Sequence, residues 1–401
     1  IEIGDRQGEA RTTVNLGVVF GSLDELQKAK EYYEKALAIA IEIGDRHGEG
    51  IINENLGKLL YSLCKYPKAK ECDEKALAIA IEIGDRQAEG TRNADLGIVF
   101  TSLGEYQKTK EYLEKALAIA IEIGDRYAEG TSNRGLGYVF YSLGKYQKAK
   151  EYYEKALAIK TEIGVTKGRE YLSLGDVYFK LRKNRQAKEY FDKAIGISIA
   201  SGDRILEANA TVNLAAVFAS VNDNQKAKEY CVKALTISRE CSDRDIDAGI
   251  CLTIANIYRL LGECNKAEDC LEKAYSITNQ TGYKMLEFKS LLSITLLKIS
   301  QSEVVEAKEF LLQCIAKYEQ IRTFLKGNSE FEISLLEVHG TFPYHLLTDL
   351  LCYIEKFREA LYVEELARAR VLAELMADKY SVPSHISADP QSWFGIENIV
   401  R

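Results

Sequence analysis

The stretch Glu34–Arg46 reads EKALAIAIEIGDR, and it recurs without change at Glu74–Arg86 and Glu114–Arg126, a period of 40 residues. A fixed period of this size marks a chain built from stacked copies of one supersecondary unit. A second marker, Leu-Gly, keeps the same phase at Leu16-Gly17, Leu56-Gly57, Leu96-Gly97 and Leu136-Gly137. It returns 38 residues on at Leu174-Gly175, then drifts to Leu214-Ala215, Ile254-Ala255 and Ile294-Thr295. A ninth, divergent unit fits around Leu347 and Ala360.

Each unit reads as two amphipathic helices. In the first, Leu16, Phe20 and Leu23 fall at i, i+4 and i+7, one face of a helix. In the second, Ala29, Tyr33, Ala36, Leu37 and Ala40 do the same, the small alanines allowing close approach and Tyr33 filling the gap. Ser102-Leu103-Gly104-Glu105 joins two helices, with Gly104 suited to a left-handed C-terminal cap. In the Gly-Asp-Arg link, Gly44 can end one helix and Asp45 can cap the next. Pro67 falls in the first turn of a second helix, where proline is tolerated. No segment alternates with period two. The fold expected is all-α: an α-solenoid of about nine stacked antiparallel helix pairs, coiled as a right-handed superhelix.

Composition narrows the function. The chain has 401 residues, 46% hydrophobic and 28% charged, so it can bury a core. Its net charge of −7 weighs against nucleic acid, which needs a dense cationic face. No apolar run is long enough to span a membrane; Ala76–Ile83 is interrupted by Glu82. No leader is visible, and the opening at Ile1 inside a repeat reads as a fragment. The nine cysteines are scattered, with no Cys-x-x-Cys pair. Cys72 and Cys270 take the slot of Tyr32, Tyr112 and Tyr152, Cys64 that of Gly104 and Gly144, and Cys314 that of Ala36. They read as reduced structural thiols of a cytosolic protein.

Chemistry-bearing motifs are missing. The four histidines form no His-Glu-x-x-His, and there is no Walker loop. His345 and Cys352 share one predicted helix, but seven residues of helix rise separate them by about 10 Å. Neither an oxyanion site nor a positioned base accompanies them. The reading is a protein that is not an enzyme, with no catalytic residue, cofactor or metal site.

The residue pattern resembles the tetratricopeptide repeat family, whose signature is Leu-Gly-x-x-aromatic followed by Ala-x-x-x-aromatic-x-x-Ala. Repeat one supplies Leu16, Gly17, Phe20, Ala29, Tyr33 and Ala36; repeats four and five supply the equivalents from Leu136 to Ala156 and from Leu174 to Ala194. The tryptophan slot departs, holding Thr13, Asn53, Asn93 and Asn133, and the proline slot holds Ile41 or Ile81. Asp73 replaces an aromatic in repeat two, and Thr109 an alanine in repeat three. The resemblance covers 1–325 clearly and 333–379 weakly. It implies a concave groove, lined by the first helices, that binds peptides or helices of partner proteins. The inward family positions give Arg11, Asn15, Asn55, Asp95, Arg134, Tyr138, Asn213 and Asn256 as groove candidates. Charge reversal at Arg134 is expected to weaken partner binding and spare stability. Chaperone-binding members need a lysine at the fifth and an asparagine at the ninth position of one repeat. No unit here has both, which argues against that ligand.

The regular pattern fades after residue 325. Lys326–Ser329 reads as a loop, helices are expected near 333–353 and 356–379, and 381–401, with Pro383, Pro390 and Trp393, reads as an irregular linker into a missing domain. The run Glu365–Leu375 (ELARARVLAEL) is similar to the helix preceding caspase-like CHAT domains. With the long repeats it resembles the tetratricopeptide repeat protein 28 family of animals, which is associated with cell division and the cytoskeleton. That resemblance implies a cytoplasmic regulatory or targeting arm as an alternative to a free-standing scaffold. The 40-residue unit with its Gly-Asp-Arg link also resembles Pins-type and kinesin-light-chain-type adaptors.

Overall fold

A computed structural model describes residues 5–23, 25–63, 65–103, 105–165, 167–240, 244–281, 284–324 and 343–366. The expected loop at Lys326–Ser329, most of the Glu365–Leu375 helix and the 381–401 linker lie outside the described residues. The chain divides into two compact units, Ile1–Tyr141 with Lys145–Ser173, and Ser142–Gly144 with Leu174–Arg401. Among the described residues every regular element is a helix.

The first unit holds the pairs α1 (Arg6–Ser22) and α2 (Leu26–Ile43), α3 (Arg46–Ser62) and α4 (Tyr66–Ile83), α5 (Arg86–Leu103) and α6 (Tyr106–Ile123), and α7 (Arg126–Ser142) and α8 (Tyr146–Glu162). Helix α9 (Gly168–Lys180) begins in this unit and continues in the second. There follow α10 (Asn184–Ser201), α11 (Arg204–Ser220), α12 (Asn224–Arg239), α13 (Arg244–Leu260), α14 (Cys264–Thr281), α15 (Lys284–Ser300), α16 (Val304–Phe324) and α17 (Pro343–Tyr353). Residues 357–366 are helical as well. Helices pair in sequence order, and within each unit successive pairs stack, α4 on α5 and α14 on α15 among them.

The marker glycine explains the pairing. A Cβ on Gly17 would lie 2.6 Å from the Tyr33 ring, and one on Gly137 2.6 Å from the Tyr153 ring. In the second unit a Cβ on Gly175 would lie 2.4 Å from Phe191. No side chain fits there, so the two backbones of a pair close over the ring. Ala29, Ala36, Ala149 and Ala156 are fully buried at the same contact. A second ring pair locks several hairpins on the other side. Phe20 stacks on Tyr32 at 5.1 Å, Phe100 on Tyr112 at 5.2 Å and Phe140 on Tyr152 at 5.2 Å; Tyr178 on Tyr190 repeats this in the second unit at 5.1 Å. Lysines cover the stacks, such as Lys108 and Lys115, each 5.1 Å from a ring centre.

The Gly-Asp-Arg link has three separate jobs. Gly44, Gly84 and Gly124 end their helices with φ of 71–73°, the left-handed region that favours glycine. Asp45 accepts from the Gly48 backbone N–H at 2.8 Å and caps the next helix. Arg46 bonds Glu49 at 2.5 Å and also Glu82 at the far end of the same hairpin. Arg86 and Arg126 repeat that fork with Glu89 and Glu122, and with Glu129 and Glu162. These pairs are exposed and add little to stability; their work is to hold the open ends of each hairpin together. Pro67 falls in the first turn of α4.

The polar residues in the tryptophan slot are buried and locally satisfied. Asn53, Asn93 and Asn133 each donate to the carbonyl four residues back, at 2.8–2.9 Å. The apolar face proposed for the first helix needs one correction. Leu56, Leu96 and Leu136 are buried, but Leu16 is 40% exposed and Leu23 is exposed too. The marker leucine is covered by the preceding pair, and α1 has none among the described residues. Gly104 lies outside the described residues, but Gly144, at its slot in the next repeat, has φ of 68°. The described cysteines are free, and burial pushes the Cys231, Cys251 and Cys314 thiols up to about 12.

Replacing Ala156 by Phe will overpack α7 against α8 and cost on the order of 1–3 kcal/mol. Urea denaturation measures it; unchanged stability would show that Ala156 is not at a closed contact.

Candidate binding faces

In the first unit the residue two past the marker leucine is exposed on every first helix. Val18 and Ile98 are 49% exposed and Tyr138 44%, while Lys58 holds the slot on α3. Ile51 adds another exposed apolar side chain on α3. Such residues on a helix whose other face is packed form an exposed strip. Arg11 and Asn15 are exposed one turn apart on α1. Arg11 borders a cavity of about 560 Å³ between α1 and α3, whose wall includes Val14, His47 and Ile51. Asn55 is half-buried on α3.

Asp95 belongs to a charge cluster. Arg92, 4% exposed, points from α5 toward α3, its Nη2 2.7 Å from Glu54 Oε1 and its Nη1 3.0 Å from Asp95 Oδ2. Lys58 also bonds Glu54, at 2.6 Å. Behind them Asp73, 2% exposed, stands on α4 in the seat of the pairing aromatic, with Oδ1 2.3 Å from where a Gly57 Cβ would be. Asp73 Oδ1, Asp95 Oδ2 and the Arg92 Nε and Nη1 groups make no hydrogen bond, so the Arg92–Asp95 contact is an ion pair without alignment. Loss of solvent, and then the Asp95 charge, push Asp73 up to about 7. Burial also raises Asp95, against the pull of Arg92. In Glu54 burial works in the same direction, but Lys58 and Arg92 outweigh it and hold the carboxyl below its usual range.

Arg134 faces Glu170 at 3.7 Å, and Glu170 is buried. This reverses the polarity of the Glu54–Arg92 pair at the same two slots of neighbouring first helices. Buried Lys160, in an alanine slot, lies over the Tyr127 ring and donates to Thr131 Oγ1 at 3.1 Å; burial lowers its pKa, and Glu170 opposes this.

In the second unit the candidate asparagines bridge neighbouring first helices. Asn213 Nδ2 donates to Asp176 Oδ1 at 2.6 Å, and Asn256 Nδ2 to Ser293 Oγ at 3.1 Å. Loss of solvent pushes Asp176 up to about 7, with Lys180 opposing. His345 and Cys352 do not meet: His345 Nδ1 lies 3.1 Å from Glu364, on the helix after α17. Among the described residues no group of three or more His, Cys, Asp or Glu could hold a metal, and no helix is long and apolar enough to cross a membrane.

Of the eight candidates, then, Arg134, Asn213 and Asn256 are engaged with neighbouring repeats, Asp95 is paired with Arg92 on its own helix, Asn55 is half-buried, and Arg11, Asn15 and Tyr138 are exposed. The partners Glu54, Asp73, Arg92, Glu170 and Asp176 were not among the candidates. The signal for them was charge in slots that sister repeats fill with small or apolar residues: Arg92 and Glu170 correspond to Ile52 and Ser132, and Asp73 to Tyr33.

The tetratricopeptide repeat profile matches residues 8–82, 87–162 and 170–240, and a second tetratricopeptide repeat profile matches 248–281. The chain belongs to the tetratricopeptide repeat family. Solved members of similar fold include the apo form of RapI, with a TM-score of 0.59 at 17% identity over 68% of this chain and 98% of that one. The Rap conjugation gene regulator of plasmid pLS20, in complex with the Phr* peptide, gives 0.56 at 15% identity over 83% and 98%. A Rap protein complexed with competence and sporulation factor gives 0.54 at 14% identity over 88% and 99%. At these identities the likeness is one of fold. No curated protein matches the sequence. In this tetratricopeptide array the asparagines of the tryptophan slot replace a buried ring with a bond to their own helix.

Asp73 sets a pH dependence. A carboxyl raised to about 7 in the fold binds a proton that the unfolded chain releases near its ordinary value, so stability falls as pH rises from about 4 to about 7. Asp73→Asn will be more stable than wild type at pH 8, and the difference will close toward pH 4; melting temperatures across that range measure it. The Arg134 expectation also changes. Arg134→Glu sets two anions together at Glu170 and will cost on the order of 1 kcal/mol, so it cannot spare stability. Thermal melts of Arg134→Glu beside Arg134→Gln check the sign.

Proposed function

We propose that the chain is a non-enzymatic interaction scaffold whose first helices grip an extended peptide or helix of a partner protein. The observation that carries the reading is the exposed strip Val18, Ile98 and Tyr138 at one slot of α1, α5 and α7, with Lys58 between them on α3. These side chains lie outside a core whose leucine, alanine and aromatic positions are already filled. Apolar contact along the strip supplies affinity, and the half-exposed Glu54 and Asp95 beside it supply polar partners. One Rap protein of similar fold was solved with the Phr* peptide and another with competence and sporulation factor, which supports the same use of this array.

A rival strip exists. Ile41, Ile81 and Ile121 are at least as exposed, on the second helices. Peptides selected by phage display against the 401-residue chain separate the two. Ile98→Asp and Tyr138→Asp will weaken the selected peptides by about tenfold or more, a loss of about 1.4 kcal/mol, with unchanged melting temperature. Ile121→Asp will leave them bound. The opposite pattern would move the binding face to the second helices.

A further inference from the structure

The first-helix face of the second unit carries three cations that make no ion pair among the described residues. Lys180 lies one turn past Asp176 on α9, Arg259 three residues past Asn256 on α13, and Lys289 one turn before Ser293 on α15. Helical spacing therefore puts each cation on the face that bears the Asn213–Asp176 and Asn256–Ser293 hydrogen bonds. Several other cations on this unit's helices are paired: Lys273 lies 2.7 Å from Asp247, Lys298 3.0 Å from Glu268 and Lys317 2.8 Å from Glu287. Lys180, Arg259 and Lys289 make no ion pair among the described residues, and Arg259 Nε is buried without an acceptor. Lys289 is half-buried; burial, and then the Lys180 charge, depress its pKa.

Like charges gathered without a counter-ion cost free energy unless something outside the chain answers them. Composition does not produce them, since the chain carries a net charge of −7. The equivalent slots of α11, α13 and α15 hold no acid, and Asp176, the carboxyl one turn before Lys180 on α9, already accepts from Asn213. Both bridging asparagines spend Nδ2 on a neighbour, which leaves Oδ1 to accept a peptide N–H.

We infer that this face takes an acidic stretch of an extended partner peptide, its carboxylates on Lys180, Arg259 and Lys289 and its backbone N–H groups on Asn213 and Asn256. The inference rests on the scaffold reading and names the chemistry of the partner segment. The asparagines bind main chain whatever the sequence, and the cations select for charge.

Fluorescence polarisation on the 401-residue chain tests it, with labelled deca-glutamate as probe. A neutral glycine–serine decamer, deca-lysine and a single-stranded DNA decamer serve as controls. Deca-glutamate is expected to bind roughly tenfold tighter than the neutral decamer at low salt and to weaken as salt rises. Lys289→Gln with Arg259→Gln will abolish that preference, and Lys289→Arg will keep it. Lys180→Gln, at an exposed site that leaves folding untouched, will reduce it. Equal affinity for the neutral decamer, tighter binding of the DNA, or full deca-glutamate binding by the double variant would each overturn the inference. If selected peptides still depend on Ile98 while deca-glutamate fails to bind, only the charge inference falls. If the selected peptides ignore Ile98 and Tyr138 as well, the scaffold reading falls with it.

Discussion

The structure depends on one steric constraint, the absence of a side chain at the marker glycine. Because Gly17, Gly137 and Gly175 present bare backbone to a ring, the two helices of a pair approach until that ring fills the gap. The fully buried alanines follow from the same distance, since any larger residue at Ala36 or Ala156 would hold the helices apart. The outer ring stacks and the arginine forks also need the two helices at this spacing. A Phe100–Tyr112 separation of 5.2 Å is available only if the inner contact has already closed.

Repeat two departs from that constraint and shows what it permits. Asp73 occupies the ring's seat, and the second stack is lost with it, Leu60 and Cys72 replacing its two aromatics. The space a ring would fill instead holds a carboxyl that must share its surroundings with Asp95, Glu54 and Arg92. Packing has been exchanged for charge at one repeat, while repeat one keeps both aromatic contacts and repeat three keeps its outer stack with Leu113 in the ring's seat. A local breach of otherwise consistent rules is where function is expected to reside. Here the breach lies directly behind the first-helix face of α3 and α5.

Much of this was legible beforehand. The 40-residue period, the paired helices, the glycine caps and the capping role of Asp45 all follow from local signals that each repeat restates. The candidate face was legible only in part. Family positions place Asp95, Arg134, Asn213 and Asn256 on first helices, but the partners of Arg134, Asn213 and Asn256 lie about 37 residues away, in the neighbouring repeat. Spacing along one helix says nothing about which slot of the next repeat will answer a charge. Nor could it show that Leu16 and Leu23 would be exposed, because the leucine's cover comes from a different pair.

The arginine forks suggest how the array grew. Arg46 is bonded to Glu49 on its own helix and to Glu82 on the partner helix of the same hairpin, and Arg86 and Arg126 obey the same rule. The tryptophan-slot asparagines are likewise satisfied within their own helix. In these forks and amides each 40-residue block is self-contained, so a block copied or excised whole breaks none of them at the junction. The contacts that do cross from one repeat to the next, Glu54–Arg92 and Asn213–Asp176, cannot be copied in this way. They are where an array of interchangeable parts acquires a fixed order.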